Sequence, residues 1–216
     1  MNPDQGVEQS LLITALTLRR VVGILGIAFP FVLVSGNVLS GAHRIQSSIS
    51  AYYHTDMRDV FVGLLCAIGV FLLCYRGYEI RDRVAALVAG AGSIGTALVP
   101  TALSAEPTGT EKYLGIVHWA FAAAFLLSLT YMSLVLFRMT GGEPTPQKLR
   151  RNRVYLICGS TMAACLALLL IYSVLPAEAR NRLAVLDPVF WLESIAVVCF
   201  GFSWLTKGEA LFKDVT

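Results

Sequence analysis

Charge is what this chain has least of. Asp, Glu, Lys and Arg supply 14% of its 216 residues, hydrophobic types supply 56%, and the mean hydropathy is +0.67. That balance excludes a soluble globular domain of ordinary composition. A net charge of +3 gives no reason to invoke a nucleic-acid partner. Cysteine is scarce too. The five, Cys66, Cys74, Cys158, Cys165 and Cys199, are odd in number, lack CxxC spacing and all fall in apolar runs. This argues against a disulfide framework and for small apolar packing residues. The first residues, Met-Asn-Pro-Asp-Gln-Gly-Val-Glu, lack the basic start of a signal peptide, so no cleaved targeting segment is expected.

What is present is apolar length. Six runs, near 21–40, 58–75, 84–103, 113–137, 153–175 and 188–206, are of the order of 20 residues, enough for a hydrocarbon core about 30 Å thick. Their continuity, without the alternation of barrel strands, predicts an all-α bundle of six transmembrane helices. The whole of 1–216 would be a single transmembrane domain. Residues 9–20, ending in Arg19-Arg20, read as an amphipathic segment lying at the interface, or as an extension of the first helix. The loop from Thr140 to Arg153, rich in Gly, Pro and charge, separates four runs from two.

Basic residues orient the chain. With the N-terminus inside, twelve Lys and Arg fall on the cytoplasmic side and five (Arg44, Arg58, Lys112, Arg180 and Arg182) on the other. This bias places both termini in the cytoplasm of a bacterial plasma (inner) membrane. Some of those cations would meet anionic lipid headgroups.

A literal GxGxxG occurs at Gly90-Ala-Gly92-Ser-Ile-Gly95. A dinucleotide site would need a preceding strand and a βαβ unit. These glycines lie in the third run instead, where pairs such as Ala86/Gly90 and Ala91/Gly95 suit close helix packing. Such small-residue faces would serve within one chain or between the copies of a homo-oligomer.

The densest polar run is Ser48-Ile-Ser-Ala-Tyr-Tyr-His54-Thr-Asp56-Met-Arg58-Asp59. There are three histidines, His43, His54 and His118, and the orientation above puts all of them on the outer side. His118 lies five residues beyond Tyr113 and Glu193 five beyond Pro188, about 7 Å inside their helices. Ionisable groups at such depth face the interior of a bundle or a water-filled cavity. Structural alternatives stand beside that reading. Thr55 or Asp56 would cap the second helix and Asp59 would favour its dipole. Arg58, Tyr52, Tyr53, Tyr113, Trp119 and Trp191 would form an interfacial belt. His118 would satisfy a buried carbonyl, or pair with Glu193.

Chemically, His54 and His118 with a carboxylate from Asp59 or Glu193 would make a zinc set with a position open for water. The remaining carboxylate would then act as general base. Ser50-Ala-Tyr-Tyr-His54, the acids Asp56 and Asp59, and the later His118 resemble the Ser-x3-His and Asp elements of the CREST superfamily. That group includes the alkaline ceramidases and the progestin/adipoQ receptors, zinc-dependent hydrolases of lipid amides built on seven helices. The resemblance implies His54 and His118 as metal ligands, with Ser50 and Asp59 polarising substrate or water. This chain has six runs where that group has seven helices, and carries no HxxxH pair near its end. More broadly, the chain resembles bacterial polytopic membrane proteins. The expectation is a membrane protein with an outward-facing polar pocket. It would be a hydrolase of a lipid amide or ester using Ser50, Asp59 and Glu193, with membrane lipid as neighbour and a lipid-like substrate. The alternatives are a small channel, transporter or ligand-binding protein using a His118/Glu193 pair, and a membrane assembly or scaffold protein.

Overall fold

A computed structural model of the chain describes residues 3–77, 79–103, 107–140 and 142–212. Met1, Asn2, Gly141 and Lys213, which enter the N-terminal, loop and orientation arguments, lie outside the described residues. The fold is all-α. Its helices are α1 (Pro3–Leu39), α2 (Arg58–Leu73), α3 (Ile80–Leu98), α4 (Gly109–Leu134), α5 (Pro146–Val174), α6 (Ala177–Ala184) and α7 (Pro188–Lys207). Short 3-10 turns occupy Ser50–His54 and Leu136–Arg138.

Four helical stretches, Ile13–Leu39, Gly109–Arg138, Pro146–Val174 and Pro188–Lys207, are long and apolar enough to cross a membrane. The other two runs give shorter or more charged helices. α2 has 16 residues, about 24 Å at 1.5 Å per residue, and α3 opens on Ile80-Arg81-Asp82-Arg83. The third run also stops sooner than its hydropathy suggests. Pro100 forces the preceding residue out of the helical region, so Val99 is extended at φ −93°, ψ 122° and α3 ends at Leu98. Residues 9–20 belong to α1, a continuous helix of 37 residues with Pro30 inside it.

Local signals set the other helix ends. Thr145 caps α5 by accepting the Lys148 amide at 3.1 Å, and Pro146 takes the first turn, where its missing N–H is no loss. At α3, Glu79 and Asp82 form a reciprocal capping box, which satisfies amides that have no partner in the helix.

The six long helices close into a ring in which α1 packs on α2 and α7, α3 on α2 and α4, and α5 on α4 and α7. Glycines let the backbones meet. A Cβ on Gly201 would lie 2.6 Å from the Gly23 carbonyl oxygen, and one on Gly90 would lie 2.8 Å from that of Gly69. Gly92 and Gly95 serve the opposite junction, with the Phe125 amide 2.8 Å from a Cβ on Gly92 and the Phe121 ring against Gly95. The GxGxxG glycines are therefore spent on the two neighbours of α3. Ala86 is fully buried, whereas Ala91, expected to pair with Gly95, is exposed. Buried hydroxyls add bonds between helices: Ser93 Oγ donates to the Leu65 carbonyl at 2.8 Å, and the Ser133 and Ser203 hydroxyls meet at 2.7 Å. Small residues and hydroxyls hold helices together where lipid weakens the hydrophobic drive. Trp204 is buried in the interior, its ring edge-on to Tyr75, Phe137 and Phe200.

Candidate functional site

The polar run forms a plug in one end of the ring. Within the turn Ser50–His54, Ser50, Ala51 and Tyr52 are buried, and the Tyr52 ring lies 6.4 Å from that of Phe190. Burial pushes the Tyr52 phenol above its ordinary pKa, with the nearby Asp187 charge adding to the effect and the Gln46 backbone opposing it. The Ser48 hydroxyl accepts the Ala51 amide at 3.0 Å. Glu193, one turn into α7, takes the Ile49 amide at 2.7 Å and also faces the Ser50 amide. Its carboxylate thus does from a distant helix what an N-terminal acid does locally: it satisfies free amides at the positive end of a turn. The Phe190 amide donates to the Ser47 carbonyl at 3.1 Å, completing the attachment of this loop to α7.

The two histidines bind the chain just past α3. His118 is 3% exposed, and its Nδ1 lies 2.6 Å from the Val99 carbonyl oxygen. His54, exposed at the end of the plug, places Nε2 2.8 Å from the Thr101 carbonyl oxygen. A carbonyl can only accept, so these nitrogens carry the protons. Both bonds fall where α3 runs out of helical partners for its last carbonyls. The carbonyl reading of His118 is the one realised; among the described residues no hydrogen bond joins its ring to Glu193. His118 Nε2 is buried and has no hydrogen-bond partner among the described residues.

The anticipated site residues are only partly brought together. Ser50 and Glu193 line a cavity of about 40 Å³, room for a water or two. Phe29, Phe61, Leu65, Thr96 and Phe125 complete most of its wall. His118 lies one turn before Ala122, which also lines it. Asp59 is exposed in the first turn of α2. Thr55 accepts the Met57 amide at 3.2 Å and so braces the start of that helix. Tyr113, Trp119 and Trp191 are more than half exposed, as a belt requires. Arg58 donates to the Tyr53 hydroxyl at 2.9 Å. Among the described residues, no three His, Cys, Asp or Glu side chains are gathered closely enough to hold a metal ion.

A larger cavity lies at the other end and was not anticipated. It measures about 580 Å³ and opens among the first turns of α5, the end of α7, α1 at Arg19 and the α3 cap at Glu79. Lys148, Arg151 and Tyr155 recur along α5 at spacings of three and four, which places them on one face, and all three line the cavity with Arg19 and Lys207. Arg150 and Arg153, from the same basic cluster, are exposed. A count of cations by loop gives all of these residues equal weight; the helical spacing separates the inward pair from the outward one. Arg151 is 8% exposed and donates to the Phe212 carbonyl at 3.1 Å. Lys148 Nζ donates to the Phe137 carbonyl at 2.8 Å. The Lys207 ammonium lies 5.2 Å from the Phe137 ring centre, a cation–π distance. Glu79, Glu143 and Glu209 bring carboxylates to the same basin.

No family model, curated protein or solved structure matches this chain.

Proposed function

We propose that this chain is a six-span protein of a bacterial inner membrane, with both termini cytoplasmic, that binds a small charged ligand in the basin at its cytoplasmic end. The observation that carries this is the basin itself. A chain that is only 14% charged gathers Arg19, Lys148, Arg151 and Lys207 around one space of about 580 Å³, a volume within the range of small-molecule sites. Six alternating spans put the Arg19 end of the first span, the start of α5 and the end of α7 on the same side, where twelve of the seventeen Lys and Arg fall. This is the side that positive charge selects as cytoplasmic. The test is thermal unfolding of the purified full-length protein against a panel of small anions, cations and zwitterions. A ligand that raises the midpoint in wild type, and does so far less in Lys207→Gln, supports the reading. A flat panel removes it.

A second reading, hydrolysis of a lipid amide or ester at the outer end, is favoured by His118. The Nδ1 proton given to Val99 fixes the ring and leaves Nε2 as a buried lone pair, the state a general base or a metal ligand needs. His118 would take a proton from water, with Ser50 and Glu193 at the cavity that Ala122, one turn further along α4, also lines. Zinc would require a third donor beside His54 and His118. Elemental analysis of wild type and His118→Ala tests the metal form: equal, negligible zinc in both removes it.

A further inference from the structure

We infer that the groove between α1 and α7, beside the plug, binds a lipid-soluble quinone whose ring carbonyl accepts a hydrogen bond from Ser194. This site is separate from the cytoplasmic basin, and it rests only on these helices lying in a membrane. The groove measures about 400 Å³, within the range of small-molecule sites. Phe31 and Val34 of α1 line it together with Phe190, Trp191, Ser194 and Ile195 of α7. It opens on the outside of the ring, where Phe31 is 62% exposed and Trp191 52%. An occupant therefore enters from the lipid.

One hydroxyl points to a ligand. Ser194 is 8% exposed, and its Oγ has no hydrogen-bond partner among the described residues. Buried Ser93, Thr96, Thr130 and Thr206, by contrast, each give their proton to a carbonyl, and Ser133 and Ser203 meet one another. A helical hydroxyl commonly bonds a carbonyl one turn back; Ser194 does not, and it lines the groove instead. An unbonded hydroxyl away from water is costly, so an occupant that brings an acceptor is favoured over a bare hydrocarbon.

Depth narrows the chemistry. Ser194 lies six residues beyond Pro188, where α7 begins, about 9 Å along the helix. The 20 residues of α7 match the thickness of a hydrocarbon core, so this hydroxyl sits well inside it. Glycerolipid esters stay near the polar boundary. A quinone ring carries carbonyl acceptors and no donor, so it dissolves in hydrocarbon and can still meet a single hydroxyl there. Its flat ring suits the aromatic wall, where Trp191 stands edge-on to Phe190 at 5.2 Å, because aromatic rings pair by offset or edge contacts. Val198, one turn deeper on α7, continues the groove for an apolar tail.

Quenching of tryptophan fluorescence by decylubiquinone, titrated into the full-length protein in neutral detergent, tests the inference. Saturable quenching is expected, most of it lost in Trp191→Phe and kept in Trp119→Phe, whose side chain lies outside the groove. Ser194→Ala should weaken binding by about threefold to tenfold, the worth of one hydrogen bond. The same change should not lower the melting temperature of the ligand-free protein, because alanine removes an unbonded hydroxyl. Lys207→Gln should leave quinone binding unchanged, which keeps this site distinct from the basin. Absence of saturable quenching overturns the inference, as does equal affinity in wild type and Ser194→Ala. Quenching lost as much in Trp119→Phe as in Trp191→Phe also overturns it, since that marks quinone dissolved around the whole protein. A short-chain phosphatidylcholine that raises the melting temperature in a Ser194-dependent way, with no quinone binding, gives the groove to a glycerolipid and ends the quinone assignment.

Discussion

His118 and His54 hold carbonyl groups two residues apart, Val99 at 2.6 Å and Thr101 at 2.8 Å, on either side of Pro100. One imidazole comes from within α4, the other from the end of the plug. Together they fasten the break after α3 to both neighbours, at the point where a helix has carbonyls and no amides to give them.

The buried half of this clasp has a measurable consequence. His118→Ala leaves the Val99 carbonyl unbonded and opens a cavity, a loss of about 2–4 kcal/mol. His118→Asn, whose amide can reach the Nδ1 position, is expected to recover much of it. Chemical or thermal unfolding followed by tryptophan fluorescence checks this, and equal losses in the two variants would contradict the clasp.

Glu193 is expected to matter through the plug. Glu193→Ala removes the acceptor of the Ile49 amide, costing about 1–3 kcal/mol, while Glu193→Gln keeps an acceptor oxygen and is milder. Hydrogen exchange should quicken at the Ile49 and Ser50 amides in the alanine variant and change little at α5. Uniform quickening would mean that Glu193 supports the whole bundle and not this turn.

Gly201→Ala forces α1 and α7 apart, because its Cβ would meet the Gly23 carbonyl at 2.6 Å and the Ile27 amide at 2.7 Å. The expected loss is about 1–3 kcal/mol or more, as for overpacking. Gly63→Ala, which meets nothing within 4 Å, should be neutral or stabilising by up to about 1 kcal/mol. Comparable melting of the two variants would rule out backbone contact at the α1–α7 crossing.

Tyr52 gives a pH dependence. Burial raises the folded phenol pKa, so the contribution to stability is complete below the unfolded value near 10 and is lost as pH rises through the folded one. Tyr52→Phe should therefore flatten part of the decline in stability above about pH 10. Identical alkaline curves for the two proteins would show that the phenol stays solvated.

The all-α class, the apolar helices and the structural use of the third-run glycines were legible because each follows from composition or from spacing along one helix. Chain order also carried the approximate depth of His118 and Glu193. It did not carry their partners. His118 and Glu193 look like a pair by depth, yet backbone atoms of 99 and of 49 claim them first. Those atoms are free only because Pro100 ends α3 and because the plug turns back into the ring. The basin was missed for a related reason. Lys148 and Arg151 served as orientation markers together with Arg150 and Arg153, although the spacing that leads to Tyr155 already set the first two on one face.

Sequence by itself determined that the chain buries helices in an apolar medium and where charge is scarce, since hydropathy and period are local properties. Tertiary structure decided what the scarce polar groups do. It gave His54, His118 and Glu193 to backbone carbonyls and amides, and it brought Arg19, Lys148, Arg151 and Lys207 from three helices to one cavity. Partners of that kind are set by how helices meet around the ring, and residues more than a hundred positions apart carry no mark of it in their order.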